Sequence, residues 1–342
     1  MIKVRSFTLY QKAILVNCLI ASKLWYASHI YPLPLEFTKM INHEIFRFIW
    51  GSNSNPISRD ILYNKKCFGG LNLFNIHIKA KSHFVCTMMK SFITSNVYDI
   101  IRYYMSRKVS HIFGITTFPQ RVSNVNTPYY EYGIDTIEKC VGHKKFPNLK
   151  SKDIYDIILP RFEPGIVNKY SFDWENIFSC LNFRYINNMD RNVLFKYIYE
   201  ILPTNLRLAQ IELRDSPLCE HCDVQDSNSH RFYHCYRVRE CISWLRKVIY
   251  YICGVQTDSL LKILYLDIPK VDKRNVHSLC IIISCYISAV WFHRNNMEYI
   301  KNVVKAKLIS EQRFHMKLLG IKAQKIFSDN YCYLDMHILN GL

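Results

Sequence analysis

Residues 219–235 read CEHCDVQDSNSHRFYHC, which puts Cys219, Cys222 and Cys235 together with His221, His230 and His234 in seventeen positions. Taken as C-x2-C-x7-H-x4-C, the stretch offers Cys219, Cys222, His230 and Cys235 to one metal ion. Zinc takes four sulfur and nitrogen donors in a tetrahedron, and a C-x-x-C turn brings two thiolates to one point. The chain has thirteen cysteines and thirteen histidines in 342 residues. Over about ten acceptable spacings, such a pattern arises by chance in roughly one chain in a hundred. His221, between the first two cysteines, would point away from their ion. His234 in place of Cys235 gives a Cys2His2 alternative, but with fewer than the roughly twelve residues a finger keeps between its pairs. Four protein donors close the site, so the expected cofactor is one structural Zn2+ with no open position for catalysis.

Around this knuckle the chain reads as a folding, mainly α protein. Hydrophobic residues make up 49% and aromatic residues 14% of it, which is too apolar for a disordered tail. Apolar side chains at Phe7, Tyr10, Ile14, Cys18, Ala21 and Trp25 recur at helical spacing and predict a buried helix over 6–31, closed by Pro32 and Pro34. Further helices are expected over 35–50, after a Ser58 cap, and over 76–93, with a turn and a short strand at Gly69–Gly70. Residues 113–150 carry scattered Pro and Gly and weak periodicity, and read as a linker or irregular excursion. Helical patterns resume at 151–159, 174–178, 190–201, 238–253, 276–294 and 297–327. The expected layout is a helical domain over 1–112, the linker, and a helical domain over 151–342. That last domain holds the zinc module, at about 200–250, and a basic helical tail.

Forty-five Lys and Arg against 27 Asp and Glu leave a formal charge of +18, which favours a polyanionic partner. Arg231, Arg237, Arg239, Arg246 and Lys247 cluster at and after the knuckle. Lys301, Lys305 and Lys307 open a tail with seven basic residues against one Glu between 301 and 325. Trp25 and Tyr26 are either base-stacking or core residues. The run SLCIIISCYISAVWF, 278–292, is shorter than the ~20 residues that span a bilayer and reads as a core helix, so no membrane partner is expected. The cysteines, Cys18, Cys280 and Cys285 among them, sit in apolar runs without a disulfide framework. They suggest small buried side chains in a reducing compartment, cytoplasmic or nuclear. No P-loop, G-x-S-x-G or G-x-G-x-x-G occurs, and His43–Glu44 lacks the second histidine of a zinc protease.

The order LFKYIYEILPTNLRLAQ, CEHC, DSNSHRFYHC and then Trp244 resembles the zinc-binding region of non-LTR (LINE-type) retrotransposon reverse transcriptases. Leu202, Pro203 and Thr204 match that family's turn, and Asp226–Ser227 match its acidic–Ser/Thr pair before the histidine. SKDIYDII, 151–158, resembles the helix that precedes the module, and WFHRNN, 291–296, the helix beyond it. NCLIASKLWYASHIYPLP, FRFIWG, ISRDIL and GGLNL are similar to the thumb and post-thumb of the same enzymes. The resemblance covers both ends of 6–250 and is poor over 95–150. It implies a piece of a polyprotein with a thumb-like N-terminal domain and RNA or target DNA as partner, and leaves open whether a polymerase palm is supplied in trans. Reverse transcription needs paired palm aspartates holding metal ions. No Asp–Asp pair occurs in the sequence, so the chain as written is not expected to polymerise DNA. The competing expectation is a zinc-stabilised protein-interaction module, a co-opted or decayed remnant with no nucleic-acid role.

Overall fold

The computed structural model describes residues 7–93, 112–113, 128–253, 260–268, 273–293 and 300–319. The tail basic residues Lys322 and Lys325, the stretches 94–111 and 114–127, and the last three residues of WFHRNN lie outside them. The fold is mainly helical, and the described residues contain no β-strand, only an isolated bridge between Leu218 and Gln225. The short strand expected after Gly70 is absent. Residues 71–75 form no strand: Asn72 is left-handed with φ 57°, and the N–H groups of Leu71 and Leu73 both donate to the Leu62 carbonyl.

The chain divides into two compact units, at places other than those expected. One comprises residues 11–64 and 70–162; the other comprises 1–10, 65–69 and 163–342. The segment 151–158, expected to open the second domain, thus belongs to the first unit.

The first unit is built on α1 (Leu9–Ile30), α2 (Leu35–Trp50), α3 (Arg59–Tyr63), α4 (Ile76–Ile93), α5 (Pro128–Cys140) and α6 (Ser151–Ile158). Leu9 and Tyr10, the first residues of α1, count with the other unit. Ser58 caps α3 as expected, its hydroxyl accepting from the Asp60 N–H. Helix α5 corrects the reading of 113–150 as irregular. Its Ile134, Ile137 and Cys140 pack with Phe84, Val85, Met88 and Met89 of α4 and with Ile154 of α6 in one buried cluster. Gly133 faces Met88 so closely that a Cβ there would overlap the thioether, so the glycine that looked like a breaker is where α5 meets α4.

Helix α1 departs from the expected stripe. Tyr10, Ala13, Val16 and Ala21 are buried, whereas Ile14 and Cys18 are exposed. Ile14 lies ahead of a π-helical stretch at Val16–Ala21, and Cys18 lies within it. One extra residue in that turn makes a five-residue step, from Val16 to Ala21, where an α-helix would take four, and rotates the positions that follow its start. Cys18, read as a buried hydrophobe, is therefore on the surface. Asn17, which breaks the apolar run in sequence, serves as an amide clamp: its side chain donates to the Asn72 carbonyl (2.8 Å) and accepts from the Phe74 N–H (3.0 Å). Trp25 packs against Phe74 and His83, while Tyr26 is 81% exposed.

His83 of α4 is buried, with neither ring nitrogen hydrogen-bonded, 4.5 Å from the His29 ring. Burial first, then Lys79 and His29, holds it down to about 4. In the unfolded chain it titrates near 6.5. Between those values the unfolded state binds the proton and the folded state does not, so stability falls as the pH drops from about 6.5 to about 4. His83→Leu should show a flatter urea midpoint than the parent across that window. Equal slopes would show that His83 plays no part in acid sensitivity.

The second unit holds α7 (Trp174–Leu181), α8 (Asn188–Ile198), α9 (Asn205–Gln210), α10 (Arg239–Cys253), α11 (Leu260–Leu264), α12 (Lys273–Phe292) and α13 (Ile300–Leu319). Helix α12 is apolar on every side, and Leu279 to Val290 are all buried. A helix of that kind has to sit in the middle of its neighbours, and it packs against α8, α13, α7, α10 and α11. Leu9–Ile30 and Asn275–Phe292 are both long and apolar enough to cross a membrane; 72% of the latter and 22% of the former is buried within the fold.

A candidate metal centre at residues 219–235

Thr204 begins the site. Its hydroxyl caps α9 by accepting from the Arg207 N–H, and Pro203 just before it fixes the approach. After α9 the chain returns in a tight hairpin. Cys219 N–H donates to Val224 O (2.7 Å), Asp226 N–H to Pro217 O (2.9 Å) and Asp223 N–H to Cys219 O (3.2 Å). Asp223 takes a left-handed conformation with φ 52°, a conformation that Asp and Asn tolerate better than most residues. This turn holds Cys219 and Cys222 side by side.

The second pair of donors comes from one π-helical turn, His230–His234. The Ser227 hydroxyl starts it by accepting from the His230 N–H (3.1 Å), and the Cys235 N–H closes it on the His230 carbonyl (2.8 Å). The H-x4-C spacing is thus the span of one five-residue turn, which returns Cys235 beside His230. The donor atoms of Cys219, Cys222, His230 and Cys235 all lie within 4.8 Å of one another, and this group could hold a metal ion. Cys222 Sγ and Cys235 Sγ are 3.7 Å apart, far beyond the ~2.05 Å of a disulfide. His234 is exposed with its ring against Tyr233, and His221 faces outward to Arg237 (2.6 Å); neither joins the group.

The protein alone leaves this cluster incomplete. His230 is buried and its Nε2 has no hydrogen-bond partner. Burial holds the imidazole below its ordinary pKa, hence neutral and able to donate a lone pair. Burial also pushes the Cys235 thiol up to about 12, with Cys222 and Cys219 adding to it. An orphaned buried nitrogen among three thiols is the donor set a cation satisfies.

Asp226 and Asn205 are the residues that sequence reasoning did not place. Asp226 is 1% exposed. It accepts from the Asn205 N–H at the start of α9 (2.9 Å) and from Arg231 Nε (3.0 Å), with a second guanidinium nitrogen of Arg231 completing a two-point ion pair. The Asn205 side chain donates to Leu218 O (2.7 Å) and accepts from Arg214, which also pairs with Glu220 (2.5 Å). One carboxylate therefore ties α9, the hairpin and the π-turn together. The knuckle is anchored below by Phe232, fully buried edge-on to Tyr197, by Tyr286 OH donating to Phe232 O (2.7 Å), and by Asn228 donating to Tyr197 O (3.0 Å). The acidic–Ser pair in the sequence thus has a local physical role: Asp226 locks the loop and Ser227 starts the turn.

The basic residues singled out in the sequence separate into two groups. Arg231 is engaged by Asp226 and lies over the Trp291 ring. Lys307 pairs with buried Asp190 (2.5 Å), Lys301 approaches Glu240 (3.7 Å), and Lys305 lies over the Trp244 ring. These four serve internal contacts. Arg239, Arg246 and Lys247 are exposed along α10, and Arg237 is half-buried beside His221. Neither a protein-family model nor a curated protein matches this sequence.

Proposed function

We propose that the chain is a nucleic-acid-binding protein whose knuckle carries one structural zinc ion. We read it as related to the thumb and zinc-binding regions of LINE-type reverse transcriptases. In this reading the N-terminal helices correspond to the thumb, residues 200–250 to the zinc module, and a palm acts in trans. The observation that carries the proposal is the Cys3His cluster itself, set between an N-capped helix and α10 in the family's motif order. Two thiolates about 2.3 Å from one zinc ion in a tetrahedron lie about 3.8 Å apart, and Cys222 and Cys235 are 3.7 Å apart. The ion would cross-link hairpin and π-turn; no water-activating role is assigned to it, because all four positions go to protein donors. With a net charge of +18, the partner is RNA or target DNA, met in the cytoplasm or nucleus.

The test is a salt titration of RNA and DNA oligonucleotide binding. The logarithm of affinity should fall linearly with the logarithm of salt, by about 0.7 per neutralised phosphate on a single strand. No binding at low salt would remove the proposal. The alternative, a zinc-stabilised protein-interaction module, draws support from the internal pairing of Arg231, Lys301 and Lys307. It also draws on exposed apolar side chains such as Leu19, Tyr26 and Met40 in the first unit. It would prevail if the metal-loaded chain ignored oligonucleotides of every kind.

A further inference from the structure

Helix α10 has one buried face, formed by Cys241, Trp244, Leu245, Val248 and Ile249. At 100° per residue, Arg239, Arg246, Lys247 and Tyr250 fall within about 100° of one another on the opposite side, with Tyr251 on its flank. Tyr250 and Tyr251 are 53% and 54% exposed, and Tyr236, just before the helix, is 54% exposed. The acidic residue of this face, Glu240, is turned toward Lys301. Arg246 donates to the Tyr233 hydroxyl (2.6 Å) and lies over that ring, which holds its guanidinium in place with other N–H groups to spare.

From this arrangement we infer that the outer face of α10 is a stacking platform for single-stranded nucleic acid, with the exposed tyrosines taking bases and Arg239, Arg246 and Lys247 taking phosphates. The inference rests on the nucleic-acid reading above and adds to it the strand state and the residues that read it. Aromatic rings offered to solvent between cations suit unpaired bases, whose faces are open. In a duplex each base face is already covered by its neighbour, so the rings would gain nothing. Arg239 and Tyr250 are eleven residues apart, about 16 Å along the axis, which makes this a surface for several nucleotides and not for one mononucleotide. A protein partner would be served as well by the rings, but has less use for three cations beside them.

The experiment uses the full metal-loaded chain and a fluorescent mixed-sequence 20-mer, single-stranded or annealed to its complement, followed by anisotropy. Single strand should bind more tightly than duplex. The double variant Y250A/Y251A should lose about tenfold or more on the single strand with its salt slope unchanged, while Y250F/Y251F stays within about twofold of the parent. R239A/K247A should instead lower the salt slope by about 1.4. If the parent binds the single strand but Y250A/Y251A binds it equally well, the platform is refuted and nucleic-acid binding stands. A duplex preference untouched by the tyrosines refutes the platform in the same way. If the parent binds neither oligonucleotide at low salt, the functional reading fails and the platform with it.

Discussion

A chain purified without chelators is expected to carry one zinc ion, and Cys235→Ser is expected to carry none. Cys235 is the strongest choice among the four because it is buried, closes the π-turn and lies 3.7 Å from Cys222. Replacing its thiolate leaves three donors, one of them the buried His230 imidazole. Structural zinc sites hold the ion with an apparent free energy of about 10–16 kcal/mol in small peptides, and much of that is folding free energy. Here Phe232, Asn228 and Tyr286 hold the same loop from below, so part of the local structure should outlast the ion. The expected result is metal content falling from one to zero per chain by native mass spectrometry, with new protease cleavage between residues 217 and 236. The core around α12 should stay protected. Zinc at zero in a parent chain that resists protease equally well would dispose of the metal centre.

The second large effect should come from Asp226→Ala. The variant strands the Arg231 guanidinium, whose side chain is only 13% exposed, and removes the acceptor for the first N–H of α9. Removing one partner of a buried ion pair costs about 3–5 kcal/mol, which for a chain of ordinary stability is a large part of the total. Arg231→Leu alone should be milder, since it leaves the carboxylate a backbone donor. The double variant should recover part of the Asp226→Ala loss, because no charge is then left unpaired, but not all of it, because the Asn205 N–H stays unsatisfied. A denaturant double-mutant cycle measures the coupling. A coupling near zero would mean that the pair contributes nothing beyond its two separate side chains.

How much of this was legible in the sequence depends on the range of the interactions. Helices α7, α8, α10 and α13 of the second unit announce themselves by periodicity, and α12 by a run of apolar residues that only a packed interior accommodates, whereas α9 and α11, six and five residues long, are too short to show a period. The four clustered donors were legible as a spacing, since a C-x-x-C turn and a nearby His and Cys carry their geometry locally. The π-turns were not legible. Both occur where a five-residue step replaces a four-residue one, and an apolar pattern read at period 3.6 has no way to mark the extra residue. In α1 this turned Cys18 outward, while Ile14 is exposed already in the regular turn ahead of it. Helix α5 was missed because Pro128 and Gly133 look like breakers. Pro128 stands at a helix start, where its missing N–H costs nothing, and Gly133 is where Met88 packs. Asp226 could be noticed but not interpreted, because its partners Asn205 and Arg231 are named only once the loop has folded back. The internal pairing of Lys307 with Asp190, 117 residues away, was out of reach for the same reason.

The unit that holds the knuckle is assembled from three separate runs of chain. Its short middle run delivers Gly69, whose carbonyl takes the buried hydroxyl of Tyr199 (2.6 Å) and whose missing Cβ leaves room for Phe178. The first run delivers Tyr10, packed edge-on to Phe195. No single pair of cuts can therefore excise this unit intact. A subcloned fragment beginning at 163 would expose the flanks of Phe195 and Tyr199 and lose the lid over both. Anyone dissecting the protein by deletion should graft Leu9–Tyr10 and Lys65–Gly69 back through linkers, or work with the whole polypeptide.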